Sequence, residues 1–246
     1  MDKRQNWNLS NLGLTNHFVS SLAIDPQNTQ TVYAGTNAGV FKSIDGGSSW
    51  NLFNSGLTNF YVLSLAIDPQ NTQTIYAGIT GGVFKSMDGG ANWNQTSLGR
   101  GTTYGVSLVI DPQNTQTIYA ATANGVYKST DGGSTWSGLT SVSVYCLAID
   151  PQNTQTIYAG GFNAIGVYKS TNGGLTWSEV NSGLSYKFIS TIAIDPQNTQ
   201  TIYAGTELDQ IHGGIFKSTN GGANWSRIGS GPANRDIECL AIDPQN

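Results

Sequence analysis

The stretch KSIDGGSSW, at residues 42–50, decides the fold because it recurs four more times with few changes. The other copies are KSMDGGANW (85–93), KSTDGGSTW (128–136), KSTNGGLTW (169–177) and KSTNGGANW (217–225). A second motif, AIDPQN or VIDPQN, places its Asp at positions 25, 68, 111, 150, 195 and 243, so the repeat length lies between 39 and 48 residues. A period of this length is typical of solenoids, propellers and repeat arrays.

Each repeat predicts four short β-strands: LAID, TIYAG, GVFKS and the segment that follows Trp. These segments are β-branched and aromatic, and Pro, Gly and Asn turns separate them. The Asp of Asp-Pro-Gln-Asn is expected to bond back to its local backbone, and the Gly-Gly turn to use positive φ. The inner strands carry few polar residues on either face, as when four-stranded sheets stack around an axis. The sequence therefore predicts an all-β propeller, with residues 1–246 as a single domain.

The repeated motif has the form Ser-x-Asp-x-Gly-x-x-Trp, which resembles the Asp-box, or BNR repeat, of sialidase-like and xyloglucanase-like propellers. Its copies span Ser43–Trp50, Ser86–Trp93, Ser129–Trp136, Ser170–Trp177 and Ser218–Trp225. Sialidases, xyloglucan-cleaving glycosidases, sorting-receptor ectodomains and a photosystem assembly factor carry such repeats. The resemblance therefore implies the fold and leaves the function open. It also implies an extracellular or cell-surface location, although the segment MDKRQNWNLSN predicts no signal peptide.

The acidic position of the motif is predicted to be structural. It is Asp45, Asp88 and Asp131 in three copies but Asn172 and Asn220 in the last two. Asn keeps an oxygen that accepts turn N–H groups, but it is neither an acid, a base nor a strong cation ligand. We therefore interpret the acid as a turn clamp, with the motif Trp docked against the blade; the Trp residues are Trp50, Trp93, Trp136, Trp177 and Trp225.

Five complete repeats predict five blades. Their approximate bounds are 21–63, 64–106, 107–145, 146–190 and 191–238, with terminal half-unit pieces at 1–20 and 239–246. The surplus pieces are expected to double a closing strand or to exchange with another chain, which gives a monomer or a strand-exchanged homo-oligomer. Six blades, or part of a larger ring, is the alternative.

Composition excludes several classes of function. The chain has 11 Lys and Arg against 15 Asp and Glu, a net charge of −4, so we predict no nucleic-acid partner. No apolar run approaches a membrane span. The two His are isolated, and no phosphate loop or catalytic triad is present, so neither a metal nor a cofactor is predicted. Cys146 and Cys239 hold the same slot of two non-adjacent repeats, which predicts two small buried thiols without a disulfide.

The segments that differ between repeats lie before the first strand and after the second, on one face of the predicted ring. Phe18, Tyr61, Tyr104 and Phe188 share a position seven residues before the first-strand Asp, and we expect them around the channel mouth. Charges concentrate in the last third of the chain. The predicted ligand-binding residues of this variable face are His17, Phe18, Phe60, Tyr61, Tyr104, Tyr145, Lys187, Phe188, Arg235 and Asp236. A filled channel mouth without a ligand is the competing interpretation of the aromatic residues.

Three functions remain open. The first is a non-enzymatic, lectin-like or protein-binding module that uses the variable face. The second is a glycoside hydrolase, because Glu207, Asp209, Asp236 and Glu238 offer carboxyl pairs; only Arg100 and Arg235 lie on this face, which argues against a sialidase that gathers three Arg. The third is a scaffold in a larger assembly. We favour a binding or scaffolding role, with a glycan, protein or peptide ligand.

Overall fold

The structure is a computed structural model that describes residues 9–16, 18–99, 107–161, 165–207, 213–228 and 236–243. In these ranges twenty strands and no helices form five four-stranded antiparallel sheets, which confirms the prediction of a five-bladed β-propeller. Blade one contains β1 (Val19–Ile24), β2 (Val32–Thr36), β3 (Gly39–Ser43) and β4 (Asn51–Leu52); blade two contains β5 (Val62–Ile67), β6 (Ile75–Ile79), β7 (Gly82–Ser86) and β8 (Asn94–Gly99). Blade three contains β9 (Ser107–Ile110), β10 (Ile118–Thr122), β11 (Gly125–Ser129) and β12 (Ser137–Thr140). Blade four contains β13 (Val144–Ile149), β14 (Ile157–Gly161), β15 (Val167–Ser170) and β16 (Ser178–Glu179); blade five contains β17 (Ile189–Ile194), β18 (Ile202–Thr206), β19 (Ile215–Ser218) and β20 (Ser226–Arg227).

The hydrophobic core lies between neighbouring blades. Within each blade the strands pair in chain order, so the second and third strands lie inside the sheet, and the second strand is almost wholly buried. One apolar cluster joins Tyr33 and Val40 of blade one to Val62, Leu65 and other residues of blade two. The apolar side chains that are buried between neighbouring blades therefore stabilise each blade.

The turn between the first and second strands is pinned by its Asp. Asp25 Oδ1 accepts hydrogen bonds from the backbone N–H groups of Gln27 (2.8 Å) and Asn28 (3.2 Å), as predicted for this turn. The Gln27 side-chain amide donates to the Pro69 carbonyl of the following blade at 3.1 Å. Equivalent Gln-to-Pro contacts join the later blades, so this turn also links neighbours.

The Asp-box turn is held by its own Ser and Asp. The Ser43 hydroxyl donates to Asp45 Oδ1 (2.7 Å) and accepts from Gly47 N–H (2.8 Å), while Asp45 Oδ1 also accepts from Ser49 N–H (2.8 Å). Asn172 makes the same contacts, because its Oδ1 accepts from Ser170 Oγ (3.0 Å) and from Thr176 N–H (2.9 Å). The turn thus needs an oxygen acceptor at this position but not a charge.

The Asp-box turns of blades two to five are each held by the preceding blade. Both the Tyr33 hydroxyl and the Lys42 ammonium donate to the Gly89 carbonyl oxygen at 3.0 Å. Lys42 Nζ also lies 5.1 Å from the centre of the Tyr33 ring. The same clamp recurs at Gly132, Gly173 and Gly221, so it joins blades one to five in series. We call this arrangement the Tyr–Lys clamp.

Two segments outside the five sheets continue the repeat pattern at the ends. Residues 9–16 lie beside blade one: the Ser10 carbonyl accepts from Trp50 Nε1 (3.1 Å), just as the Phe53 carbonyl accepts from Trp93 Nε1 (2.9 Å). Residues 236–243 lie beside blade five, where Ile237 N–H donates to the Thr206 carbonyl at 3.1 Å. The first segment thus has the place of an outer strand, and the second has the place of an inner strand.

The motif Trp residues differ in how their indole N–H is satisfied. Trp225 Nε1 donates to the Val180 carbonyl at 2.7 Å, whereas Trp177 Nε1 is buried and has no hydrogen-bond partner in the described part of the chain. Trp225 packs against blade four, whose last strand leads into Asn181-Ser-Gly-Leu. Trp177 packs against blade three, whose connection to the next blade is shorter and lacks this sequence. Trp136 packs against blade two and donates instead to the Gly133 carbonyl of its own turn at 3.1 Å.

We expect Trp225→Phe to destabilise the protein more than Trp177→Phe. Both changes remove similar volume, but only the first breaks a hydrogen bond and leaves the Val180 carbonyl unpaired, a difference of about 1–2 kcal/mol. Thermal and urea unfolding of the two variants measures this difference. Equal losses of stability, or a larger loss for Trp177→Phe, would contradict the assignment.

Acid should weaken the first three Asp-box turns selectively. Hydrogen bonds from the Ser49 and Ser43 side chains lower the pKa of Asp45 from 3.8 to about 2, and the pKa of Asp88 and Asp131 also falls to about 2. Because the folded-state pKa is below the unfolded one, this stabilisation is complete above about pH 4 and is lost as the pH falls towards 2. The triple variant Asp45→Asn, Asp88→Asn, Asp131→Asn should remain folded at neutral pH and show a smaller loss of melting temperature between pH 4 and pH 2. Adding the charge with Asn172→Asp should steepen that loss. An unchanged acid profile in both variants would contradict the stabilising role of these carboxylates in their turns.

Candidate binding site at the channel mouth

The inner strands of the blades surround a channel of about 770 Å³. Among the described residues, three aromatic side chains line it: Phe18, Tyr61 and Tyr145 come from blades one, two and four. They are 60%, 42% and 42% exposed, respectively. Between them the wall consists largely of small side chains, including Ser64, Ser107 and Thr191. The structure thus brings together three of the predicted aromatic residues around one cavity.

Two backbone features, a capped turn and a β-bulge, position these rings. Asn16 Oδ1 accepts from Phe18 N–H, and Asn59 Oδ1 accepts from Tyr61 N–H, each at 2.9 Å, so both rings follow the same side-chain-capped turn. Tyr145 instead lies at a β-bulge, because the pairing of β13 with β14 shifts between Val144 and Cys146. A bulge re-aims a side chain away from the strand's regular alternation.

The same bulge contributes channel residues that the sequence did not predict. It recurs at Ser20, Leu63 and Ser190, and all three line the channel beside Tyr145. Their shared position, five residues before the first-strand Asp, is visible in the sequence, but the bulge that turns them inward is not. Only the register of the paired strands reveals it.

The other predicted ligand-binding residues are placed differently. Phe60 is 48% exposed and lies outside the channel lining, next to Tyr61. Phe188 stacks on Tyr186 with ring centres 5.3 Å apart, and the Lys187 carbonyl accepts from Gly166 N–H at 2.9 Å. Asp236 is exposed near Glu207. His17, Tyr104 and Arg235 lie outside the described residues.

Three carboxyl groups give one side of the mouth a negative charge. Burial, followed by the charges of Asp236 and Glu238, raises the pKa of Glu207. Burial, followed by the charges of Glu207 and Glu238, raises the pKa of Tyr145. The acids therefore lie within electrostatic range of each other and of one channel ring. This side of the mouth disfavours anionic ligands.

The described ranges contain no cluster of three or more His, Cys, Asp or Glu residues suited to a metal ion. They also contain no helix long and apolar enough to cross a membrane. The site chemistry visible there is that of aromatic rings, hydroxyl groups and carboxylates.

The prediction of two buried thiols is wrong for Cys239. Both cysteines are free, but only Cys146 is buried, whereas Cys239 is exposed and lines the channel. Cys146 lies between two complete blades, with its thiol against the Ile189 carbonyl at 3.9 Å. Cys239 occupies the same slot in the terminal segment, where no described strand covers it.

A thiol reagent at about pH 8 should label one cysteine per native chain. Burial raises the pKa of Cys146 to about 12, so this thiol is neither exposed nor ionised at that pH. We expect Cys239→Ser to abolish the reaction and Cys146→Ser to preserve it, with two thiols reacting after denaturation. Equal labelling of both cysteines in the native protein would contradict the burial of Cys146.

Comparison with solved structures relates this architecture to two kinds of propeller protein. An ancestral GH74 enzyme is 28% identical with a TM-score of 0.75, over 93% of this chain and 33% of that chain. The Niastella koreensis GH74 enzyme is 26% identical with a TM-score of 0.68, over 85% of this chain and 38% of that chain. YCF48 from Cyanidioschyzon merolae is 16% identical with a TM-score of 0.54, over 86% and 84%, and shows the shared fold alone. This chain thus spans little more than a third of the GH74 enzymes.

Family membership comes from the sequence match. No curated protein matches the chain. Residues 1–165 match the family described as photosynthesis system II assembly factor YCF48, which is a match over more than half of the 246 residues. The protein therefore belongs to this family of BNR-repeat propellers.

Proposed function

We propose that the protein is a non-catalytic binding propeller that holds a neutral carbohydrate chain at the channel mouth. The observation that carries this proposal is the convergence of Phe18, Tyr61 and Tyr145 on one hydroxyl-lined cavity while each ring remains substantially exposed. Concave sites lined by aromatic rings and a few polar groups are the usual form of small-ligand pockets. The similarity to GH74 enzymes supports a carbohydrate ligand.

The chemistry of the wall supports a neutral sugar. Tyr presents an apolar ring face together with a hydroxyl group, which matches the mixed apolar and hydroxyl surface of a sugar. Ser and Thr side chains both donate and accept hydrogen bonds, so the wall can satisfy sugar hydroxyls of either polarity. The carboxylates of Glu207, Asp236 and Glu238 disfavour acidic sugars by charge repulsion.

Calorimetry with neutral oligosaccharides, beginning with xyloglucan oligomers, tests the proposal. Tyr61→Ala and Tyr145→Ala should each weaken binding about tenfold or more, because each removes a central contact surface. Phe60→Ala is the matched control: this ring is also about half exposed but lies outside the channel, so affinity should not change. Binding should also be insensitive to salt. Equal weakening by all three variants, or no binding across the neutral panel, would overturn the proposal.

Glycoside hydrolysis is a second candidate, favoured by the carboxyl cluster. A general acid requires a raised pKa beside a second carboxylate, and the pKa of Glu207 is raised next to Asp236 and Glu238. Hydrolysis predicts release of reducing ends from the bound oligosaccharide, and loss of that release with retained binding in Glu207→Gln. Binding without turnover in the unaltered protein supports the non-catalytic role.

A protein ligand is the alternative that the family description suggests, because it names an assembly factor. Such a ligand would contact the carboxylates at the mouth, which favour a cationic peptide. Because salt screens this attraction, the peptide would bind more weakly as the salt concentration increases. Salt-dependent peptide binding lost in Tyr145→Ala, together with no carbohydrate binding, would favour the scaffolding role.

A further inference from the structure

The Tyr–Lys clamp has four complete copies and one copy without an acceptor. In blade five, Lys217 Nζ lies 5.2 Å from the centre of the Tyr203 ring, the same arrangement as in the other blades. No described residue accepts a hydrogen bond from the Tyr203 hydroxyl or the Lys217 ammonium. Tyr203 is also only partly buried, whereas Tyr33, its equivalent in blade one, is 1% exposed. Blade five therefore presents a clamp for the Gly carbonyl of a further Asp-box turn.

Blade one presents the complementary unmatched surface. We call the space between blades five and one the gap. Leu22 and Ile24 on its inner strand are 63% and 58% exposed. The equivalent residues of the later blades are at most 8% exposed at the Leu22 position: Leu65, Leu108, Leu147 and Ile192. Leu65 is covered by β2 of the preceding blade, where a Cβ added to Gly35 would lie 3.5 Å from Leu65 Cδ1. In the described part of the chain, no second strand covers Leu22.

The segment 236–243 has the position of an inner strand in this gap. A Cβ added to Gly205 would lie 2.5 Å from Ile237 Cγ2, and a Cβ added to Gly160 would lie 2.6 Å from Ile189 Cγ2. Ile237 therefore occupies against blade five the place that Ile189 occupies against blade four. No described strand pairs with the segment on its outer side. Glu238 and Cys239 border the same channel as Phe18 and Val19, so the segment and blade one face one cavity.

The segment 9–16 has the position of the corresponding outer strand. Trp50 N–H donates to the Leu12 carbonyl at 2.8 Å, as Trp93 N–H donates to the Ser55 carbonyl at 2.8 Å. Leu14 is 7% exposed, like Leu57 at the equivalent position. The two segments thus bracket a sixth blade position, whose inner and outer strands are in place and whose two middle strands are not found among the described residues.

We propose that this gap binds a β-hairpin with the sequence pattern of this same repeat, formed by a second and a third strand and the Asp-box turn that follows them. The hairpin would pair its first strand with the unpaired edge of residues 236–243, as in strand-addition complexes. Its small central residues would cover Leu22 and Ile24. Its first turn Gly would offer a carbonyl oxygen to Tyr203 and Lys217. Each contact repeats one that already joins two strands of a blade or two neighbouring blades, so the existing contacts of the ring specify the occupant.

A synthetic peptide with the sequence of residues 72–93 is a direct probe, because this stretch contains β6, β7 and a complete Asp-box. We expect one peptide to bind per chain, with hydrogen-exchange protection of residues 237–243 and of β1. Leu22→Asp should abolish binding. Tyr203→Phe combined with Lys217→Met should weaken it about fivefold or more, since both clamp donors are lost.

Two controls make the test specific. A peptide with Gly89→Ala and Gly90→Ala should bind poorly, because both glycines adopt positive φ, at 68° and 89°. Leu175→Asp is the matched protein control, since Leu175 is 73% exposed on an Asp-box turn away from the gap; it should leave peptide affinity unchanged. These measurements do not involve the channel aromatic residues, so they are independent of the carbohydrate proposal.

Two results would overturn the proposal. The first is no binding of the peptide to a folded, monomeric protein. The second is binding that Leu22→Asp and the Tyr203, Lys217 double variant leave unchanged.

Discussion

The propeller depends on one backbone carbonyl in each of blades two to five, that of the first turn Gly in the Asp-box. This oxygen accepts both a Tyr hydroxyl and a Lys ammonium from the preceding blade, as Gly89 does from Tyr33 and Lys42. Burial lowers the pKa of Lys42, so its ammonium group needs the acceptor when it is removed from water. The Ser and Asp of the motif fix the turn and thereby aim the carbonyl. The nine repeated residues therefore act together as one joint between blades.

This joint separates the two faces of the ring. The clamps and the Gln-to-Pro contacts between neighbouring turns occupy one face, where repeats are nearly identical because each turn must satisfy two blades at once. The loops of the opposite face do not make these contacts between blades, and they differ in length and in aromatic content. Phe18 and Tyr61 reach the channel on capped turns, while Tyr145 reaches it through a bulge. The binding residues of this face can therefore differ between blades without loss of the contacts that join the blades.

The sequence was sufficient to predict the blades, because each strand and each turn recurs with a recognisable residue pattern. The exchange of Asp45 for Asn172 at equivalent positions also indicated a structural acid, and both side chains make the same turn contacts. The channel was less predictable, because a β-bulge depends on pairing register and leaves no residue signature. Cys239 was mispredicted for a different reason: its slot is buried only when another blade follows. Burial in a stacked array is a property of the neighbour as much as of the residue.

The same dependence on neighbours explains why the two ends differ from the middle. In a stacked array, stability is approximately the sum of similar interfaces, and each terminal unit lacks one of them. At blade one the missing interface leaves Leu22 and Ile24 exposed; at blade five it leaves Tyr203 and Lys217 without their acceptor. These are the apolar and polar halves of one repeated contact, located on opposite sides of a single gap. A unit placed there would complete both halves simultaneously, whereas a unit added to an open linear stack would complete only one.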